Sequence, residues 1–185
     1  MYRMSRRKVQ GFTLIELMVV ISIIGIITAV LLASFDEGRK QSRDKVRMAE
    51  LKELQLAIEL YKAQNGRYPA PDTSCGTDMS KWYGPGTVSN WGVDCPNYIA
   101  GLAPDYIAAL PTDPNQEQEQ DKGFQYRTDA GGTMYKVIIH NSVESVLITS
   151  QADEFSRIPE KCGVSTGNLF PNQYAVYSAG SIECL

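Results

Sequence analysis

The sequence predicts an α+β fold in which one long N-terminal helix packs against a small antiparallel β-sheet head. Three observations predict it. Residues 17–35 are apolar and uncharged, and apolar residues recur beyond them at helical spacing. The first proline of the chain is Pro69, so no proline interrupts a long helix before it. Beyond Pro111 the pattern changes to the short runs that are typical of strands, and a helix followed by antiparallel strands implies an α+β head.

The first half of the predicted helix has the length of a membrane span. Residues 17–35 would rise about 28 Å as a helix, close to the roughly 30 Å hydrocarbon core of a bilayer. The residues before them are basic without any acid: Arg3, Arg6, Arg7 and Lys8. The positive-inside rule then places Met1 in the cytoplasm and the bulk of the chain outside the cytoplasmic membrane.

A cleavable secretory signal is the first alternative, because a basic start followed by an apolar run has that outline. The apolar run is longer than the hydrophobic region of a usual signal, and residues 31–35 offer no good pair of small residues for cleavage. We therefore expect a retained membrane helix.

The second half of the helix, residues 36–64, is predicted to be amphipathic. Its apolar residues follow three-and-four spacing and should face the head: Val46, Met48, Leu51, Leu54, Ile58 and Tyr61. Its charged residues are expected to be solvated: Arg43, Lys45, Arg47, Glu50, Lys52, Glu53 and Glu59. Asn65 and Gly66 supply a stop signal for the helix.

The head begins with a predicted loop, residues 66–97, rich in Gly, Pro, Ser, Asn and Asp. Its aromatic residues Trp82, Tyr83 and Trp91 either bind a ligand or fill a small core, and we favour the core. Residues 98–110, with Pro104 in a first turn, predict a short helix. Strands are predicted over residues 124–128, 134–140, 146–149 and 174–177, with a hairpin turn at Gly131 and Gly132.

The four cysteines, Cys75, Cys95, Cys162 and Cys184, all lie on the side that the charge rule exports. An even number outside the cytoplasm predicts disulfides. Three connectivities are possible, and the spacing favours two sequential loops, from Cys75 to Cys95 and from Cys162 to Cys184. Metal binding is the weaker interpretation, because the chain has no Cys-x-x-Cys and a single histidine, His140.

Composition excludes several function classes. A formal charge of −3 gives no general basic field, so we predict no nucleic-acid partner. No Gly-rich phosphate loop, Gly-x-Ser-x-Gly or zinc spacing is present, so we predict no enzyme activity. Four acids could hold calcium: Asp113, Glu117, Glu119 and Asp121. Their spacing lacks the EF-hand glycine and terminal glutamate, so we predict a solvated loop and no cofactor, with calcium as the alternative.

One carboxylate, Glu16, lies at the edge of the apolar run, where burial in lipid would cost roughly 2.5 to 3.5 kcal/mol. A capping box formed by Thr13 and Glu16 accounts for that acid, which also gains from the positive end of the helix dipole. A capping box does not account for Gly11 between the basic residues and Phe12.

Residues 8–16, followed by the apolar residues 17–21, resemble the class III signal of type IV pilins and type II secretion pseudopilins. The resemblance implies a pilin-like fold and cleavage between Gly11 and Phe12 by a prepilin peptidase, which then methylates the Phe12 amine. It divides the chain into a leader, 1–11, with Arg6, Arg7 and Lys8; a helix, 12–64; and a head, 65–185, with a cysteine loop at 162–184. It also implies that Glu16 neutralises the Phe12 amine of a neighbouring subunit and sets the register of assembly.

The resemblance further implies identical or homologous subunits as partners, together with an inner-membrane platform and its ATPase. The subunit would wait in the inner membrane before it enters an extracellular or periplasmic filament. Residues 110–114 resemble major pseudopilins, whereas the cysteines near the C-terminus resemble the disulfide loop of pilins. On the cysteines we place a pilus subunit first and a type II secretion pseudopilin second. A membrane-anchored binding module is a third alternative.

Overall fold

A computed structural model describes residues 12–86, 92–115, 122–145, 154–156 and 170–178. The chain divides into two compact units, Met1–Arg39 and Lys40–Leu185. The first unit contains the N-terminal part of the long helix, and the second contains the head and the part of the helix that packs in it.

The long helix α1 spans Leu14–Asn65, 52 residues, and confirms the predicted helix. It ends where the sequence indicates. The Asn65 side chain donates to the Tyr61 carbonyl at 2.9 Å, and Gly66, with φ +76°, donates its backbone N–H to the Lys62 carbonyl at 2.8 Å. A left-handed residue just past the last turn is the usual way to end a helix, and glycine adopts it without a steric penalty.

The head contains a five-stranded sheet. In chain order its strands are β1 (Trp82–Gly84), β2 (Gly92–Asp94), β3 (Gly123–Thr128), β4 (Tyr135–His140) and β5 (Tyr174–Tyr177). Their order across the sheet is β2-β1-β3-β4-β5. The pairs β1/β3, β3/β4 and β4/β5 are antiparallel, whereas β1/β2 is parallel. The α+β fold is confirmed, but the expectation of a wholly antiparallel sheet is wrong at β1/β2.

The strands predicted at residues 124–128, 134–140 and 174–177 are confirmed within a residue. The segment predicted as a loop, residues 66–97, contains β1 and β2, which the sequence analysis missed. Strands of three residues are too short to show an alternating pattern, and one residue of each is a glycine, Gly84 or Gly92, which is more typical of a loop. The strand predicted at residues 146–149 lies outside the described residues.

The hairpin between β3 and β4 is organised by Asp129. Its carboxylate accepts backbone N–H groups from Gly131, Thr133 and Met134 at 2.7 to 3.1 Å. Partial burial alone would raise the pKa of Asp129, but these hydrogen bonds lower it overall. Gly132 has φ +63°, and a Cβ there would lie 2.9 Å from the Tyr68 carbonyl oxygen, so the predicted glycine turn is confirmed for a steric reason.

The main core lies where α1 packs in the head. Leu51, Leu54 and Ile58 are fully buried in one cluster with residues of the sheet. Val46, predicted to join this stripe, is 48% exposed because it lies on another side of the helix, and this part of the prediction is wrong.

The prediction of a helix over residues 98–110 is also wrong. The segment is a series of turns, in which Ile99, Leu102 and Ile107 are buried against the core cluster. Gly101 has φ +69°, a left-handed conformation that interrupts any right-handed helix. Ile99, Leu102 and Ile107 are therefore buried in the core although the segment that carries them forms turns and not a helix.

Trp82 and Tyr83 are buried, which confirms the core interpretation for these two aromatic residues and contradicts the ligand-binding one. The Tyr83 hydroxyl donates to the Gly76 carbonyl at 2.7 Å. Trp91 lies outside the described residues.

A disulfide joins Cys75 to Cys95, the first of the two predicted loops, with 20 residues of separation. Asp72 lies close to both sulfurs, but bonded sulfurs are not the thiolates that a metal requires. The disulfide interpretation is therefore confirmed for this pair over the metal one. Cys162 and Cys184 lie outside the described residues.

Replacing both Cys75 and Cys95 by serine should lower the free energy of unfolding by about 3 kcal/mol, because the bridge restricts a loop of this length in the unfolded chain. Urea titration of the full chain in detergent measures the loss, with Ser74→Ala as the neighbouring control. Unchanged unfolding of the double variant would contradict a stabilising bridge.

Candidate functional site

The N-terminus of α1 is closed by the capping box. The Thr13 backbone N–H and hydroxyl both donate to Glu16 Oε2 at 2.7 Å. The Glu16 N–H is 3.3 Å from Thr13 Oγ1, which completes the reciprocal arrangement. The predicted capping box is confirmed, and it holds the one carboxylate of this segment in the first turn of the helix.

The helix that follows exposes an apolar surface. Among the described residues, α1 contains a stretch long and apolar enough to cross a membrane, and none of that stretch is buried within the protein. Its large side chains, from Leu14 to Leu32, are about half exposed or more, and Phe12 is 91% exposed. Such a surface is unfavourable in water and requires lipid or other protein around it.

The hydroxyl groups in this stretch do not make its surface polar. Ser22, Thr28 and Ser34 each donate to the backbone carbonyl four residues earlier: Met18, Ile24 and Val30, at 2.7, 2.7 and 3.1 Å. A hydroxyl bonded to its own helix presents little unsatisfied polarity to lipid or to a packed helix. Glu16 is therefore the ionisable group that distinguishes one end of the segment.

Comparison with known proteins identifies the family. The family model described as "Prokaryotic N-terminal methylation motif" matches residues 6–32. The chain is 32% identical over 111 residues to "Type II secretion system core protein G" of Pseudomonas aeruginosa, covering 60% of this chain and 71% of the relative. The chain belongs to the family of type IV pilins and type II secretion pseudopilins. This confirms the resemblance read from residues 8–21.

Two further relatives show both branches of the pilin and pseudopilin family. "Type II secretion system core protein G" of Dickeya chrysanthemi is 32% identical over 112 residues, which are 60% of this chain and 65% of the relative. "Type IV wide pilus major component PilA4" of Thermus thermophilus is 42% identical over 62 residues, 34% of this chain and 47% of the relative. No solved structure matches the chain.

The predicted site residues divide between described and undescribed parts of this pilin-like chain. Gly11 and the leader residues Arg6, Arg7 and Lys8 lie outside the described residues, although the matched motif includes them. Phe12 and Glu16 are described and lie about one helical turn apart. Their roles in methylation and assembly stay predictions.

A second group of charged residues is buried within the head. Arg47, on α1, is fully buried and binds Asp113 through two hydrogen bonds, from Nε at 2.7 Å and from Nη2 at 3.1 Å. Its Nη1 donates to Asp44 at 2.8 Å and to Glu144 at 2.7 Å. One guanidinium thus joins the helix to the two chain segments that hold Asp113 and Glu144.

The acids around Arg47 have further donors. Asp44 accepts from the backbone N–H of Glu144 at 3.1 Å, and from the N–H and hydroxyl of Ser145 at 2.7 Å each. Arg43 donates to Glu144 from Nε at 2.9 Å. The hydrogen bond from Arg43 lowers the pKa of Glu144 most; partial burial opposes it, but Arg47 adds to the lowering and brings the pKa to about 2. Burial alone would lower the pKa of Arg47, yet its bonds to Asp113 and Glu144 raise it.

This network corrects two expectations. Arg47 was expected to be solvated, but it is buried. The local pattern did not indicate this, because two of its partners, Asp113 and Glu144, lie far along the chain. Asp113 was expected in a solvated loop, but its side chain is buried and its oxygens accept hydrogen bonds from Arg47 and from the Asn115 N–H. Glu117, Glu119 and Asp121 lie outside the described residues.

A signal for the missed network exists in the sequence. The fully buried residues of α1 follow spacings of three and four: Asp44, Arg47, Leu51, Leu54 and Ile58. The two charged residues therefore continue the buried stripe, which an analysis restricted to apolar residues ends too early.

Replacing Arg47 by alanine should lower the free energy of unfolding by about 3 to 5 kcal/mol, because it leaves buried carboxylates without a cation. Arg47→Lys should lose less, since it keeps the charge but not the paired bonds to Asp113. Urea titration in detergent measures both, with the exposed Lys45→Ala as control. Equal, small losses in all three variants would contradict a stabilising network.

The lowered pKa of Glu144 predicts acid sensitivity. Its ordinary pKa is 4.5, so its contribution to stability is fully present above about pH 5 and is lost as the pH falls toward 2. Glu144→Gln should be less stable at pH 7 and lose less stability between pH 5 and 2, so that the two curves converge. Unfolding by urea at several pH values checks this, and parallel curves would contradict it.

Proposed function

We propose that this chain is the structural subunit of a type II secretion pseudopilus, anchored in the membrane and assembled through the first part of α1. The observation that carries the proposal is the exposed apolar helix with a capped carboxylate at one end, which lies within the matched methylation motif, residues 6–32. A packed assembly of such helices removes this surface from water, which makes cohesion mainly hydrophobic.

The comparisons favour the pseudopilin over the pilus, which the sequence analysis placed first. Similarity to core protein G extends over 111 residues in the Pseudomonas aeruginosa relative, and similarity to PilA4 over 62. The alignment to PilA4 is little longer than α1, which has 52 residues. The alignment to core protein G is about twice as long as α1 and therefore includes part of the head as well. The ranking based on Cys162 and Cys184 is therefore reversed.

Glu16 is suited to recognise the amine of a neighbouring subunit. Cleavage after Gly11 would leave Phe12 with a positive charge close to the membrane, where an unpaired charge is costly. The hydrogen bonds of the capping box reach Glu16 Oε2, and in the described part of the chain Oε1 accepts none. Oε1 can accept a hydrogen bond from the Phe12 amine of the next subunit while Oε2 keeps its capping hydrogen bonds to Thr13.

The same proposal assigns the partners and the location. A prepilin peptidase processes the chain in the inner membrane, with the head outside the cytoplasm. A membrane platform and its ATPase then move the subunit into a periplasmic filament of identical or homologous subunits. The protein acts as a structural element and not as an enzyme.

Glu16 should be required for assembly but not for cleavage. In native cells, wild-type protein should lose 11 residues and begin at N-methyl-Phe12, as intact mass shows. Glu16→Gln should be processed yet lose at least tenfold in sedimentable polymer, because it cannot pair with the amine. Glu37→Gln, the same change at an exposed position of α1, should leave both measurements unchanged.

Deletion of the chain distinguishes the two branches. Loss of protein secretion, with no surface filaments missing, supports the pseudopilus. Normal secretion with loss of extracellular filaments would contradict the pseudopilus in favour of a pilus. An intact Met1 in the wild type would contradict both.

A further inference from the structure

The end of α1 carries the pair Asn65 and Gly66, a dipeptide with a covalent chemistry of its own. The backbone nitrogen of the residue after an asparagine can attack the side-chain amide, and glycine leaves that nitrogen unhindered because it has no side chain. Asn65 is the asparagine of this sequence that glycine follows, and each of the other six precedes a larger residue. Both residues are exposed, and no described residue beyond the chain neighbours has a heavy atom within 4 Å of a Cβ built on Gly66. Solvent therefore reaches the pair.

The reaction of such a pair is deamidation through a cyclic imide. The Gly66 nitrogen forms a bond to Asn65 Cγ, and the bond from Cγ to Nδ2 breaks. The proton that Gly66 loses passes through the solvent to Nδ2, so that ammonia leaves. Water then opens the ring at either carbonyl and leaves aspartate or isoaspartate at position 65. No electrons are transferred, and water is the one reactant besides the chain.

The fold holds both reacting groups. The attacking group, the Gly66 N–H, donates to the Lys62 carbonyl at 2.8 Å. The leaving group, Asn65 Nδ2, donates to the Tyr61 carbonyl at 2.9 Å and to the Tyr106 hydroxyl oxygen at 3.0 Å. Ring closure requires the nitrogen and the side-chain amide to leave these acceptors, because Cγ must turn toward the nitrogen. The last turn of the helix must therefore open before the pair reacts.

Tyr106 ties the end of α1 to a distant segment of the head. Its hydroxyl accepts from Asn65 and donates to the Gln64 side-chain oxygen at 2.9 Å. Its ring packs on Tyr61, with the ring centroids 5.2 Å apart. The next residue, Ile107, is buried in the core and fixes the position of this part of the chain. Helix ends open more readily than helix interiors, and Tyr106 opposes that opening with three contacts.

We propose that Asn65 is a latent deamidation site, which the fold protects through Tyr106 and which reacts when the end of α1 opens. The Tyr106 hydroxyl is the specific hold because it accepts a hydrogen bond from the leaving amide itself. The proposal concerns the head alone and does not depend on the proposed filament function.

Deamidation changes the contact between α1 and the head. A carboxylate at position 65 has no N–H, so it loses the hydrogen bond that Asn65 donates to the Tyr61 carbonyl. It also places a negative charge at the helix C-terminus, where the backbone carbonyls are already negative. Isoaspartate in addition lengthens the main chain by one carbon just before Gly66. Water does not restore the amide, so the product marks subunits in which this contact has opened.

Deamidation of the purified full chain in detergent tests the proposal. Mass spectrometry of the peptide that spans residue 65 measures the replacement of NH2 by OH over a time course at mildly alkaline pH. Wild type unfolded in urea should deamidate there at least tenfold faster than folded wild type. Folded Tyr106→Phe should deamidate at least threefold faster than folded wild type, because the ring keeps its packing but no longer accepts from Asn65.

Tyr83→Phe is the matched control. It removes another hydroxyl of the head, which donates to the Gly76 carbonyl at 2.7 Å away from the end of α1, and should deamidate at the wild-type rate. Formation of the Cys75–Cys95 disulfide and an unchanged helical circular dichroism signal show that each variant folds.

Each other outcome overturns the proposal. Equal rates in folded and unfolded wild type would show that the fold gives no protection, and this comparison needs no variant. An unchanged rate in Tyr106→Phe would show that the hydroxyl does not hold the amide. Equal acceleration in Tyr106→Phe and Tyr83→Phe would show that the reaction follows a general loss of stability and not the release of this contact.

Discussion

The buried guanidinium of Arg47 is the interaction on which the arrangement of the head depends. A charge removed from water is costly unless partners surround it, and here three carboxylates do so with hydrogen bonds of 2.7 to 3.1 Å. Those carboxylates come from α1 and from two distant segments of the head, so the bonds form together only in the native fold. The network therefore specifies where this part of the helix lies against the head, while Leu51, Leu54 and Ile58 join the helix to the apolar core.

Elements defined by repeated local patterns could be predicted from the sequence. The helix spans 52 residues without a proline, and β3, β4 and β5 are runs of four to six mostly buried residues, long enough to be recognised as strands. The capping box follows from a four-residue motif. The remainder depends on contacts between distant residues: β1 and β2 are short and exist through their pairing, and Arg47 is buried only because Asp113 and Glu144 are brought to it. Residues 98–110 have helical spacing but reach the core through turns.

The N-terminal portion of α1 and its head portion form one continuous helix but expose different kinds of surface. The N-terminal portion is apolar on all sides and bonds its hydroxyl groups to its own carbonyls, which suits both lipid and packed helices. The head portion buries one side and leaves charged and apolar residues on the other. A subunit that moves from membrane to filament requires the first property. It must also keep its head folded throughout, and the Cys75–Cys95 bridge and the Arg47 network lie wholly within the head.

Assembly through an apolar helix alone would lack direction and register, since hydrophobic contact is nondirectional. Charged groups at defined heights along the helix can supply both. Under the proposed function, Glu16 of one subunit and the Phe12 amine of the next form such a pair at one end of the apolar surface. An alignment that slips along the helix leaves both charges unpaired at the edge of the membrane segment, where an unpaired charge is costly. The cost of the slipped alignments lets a largely apolar contact polymerise in a single register.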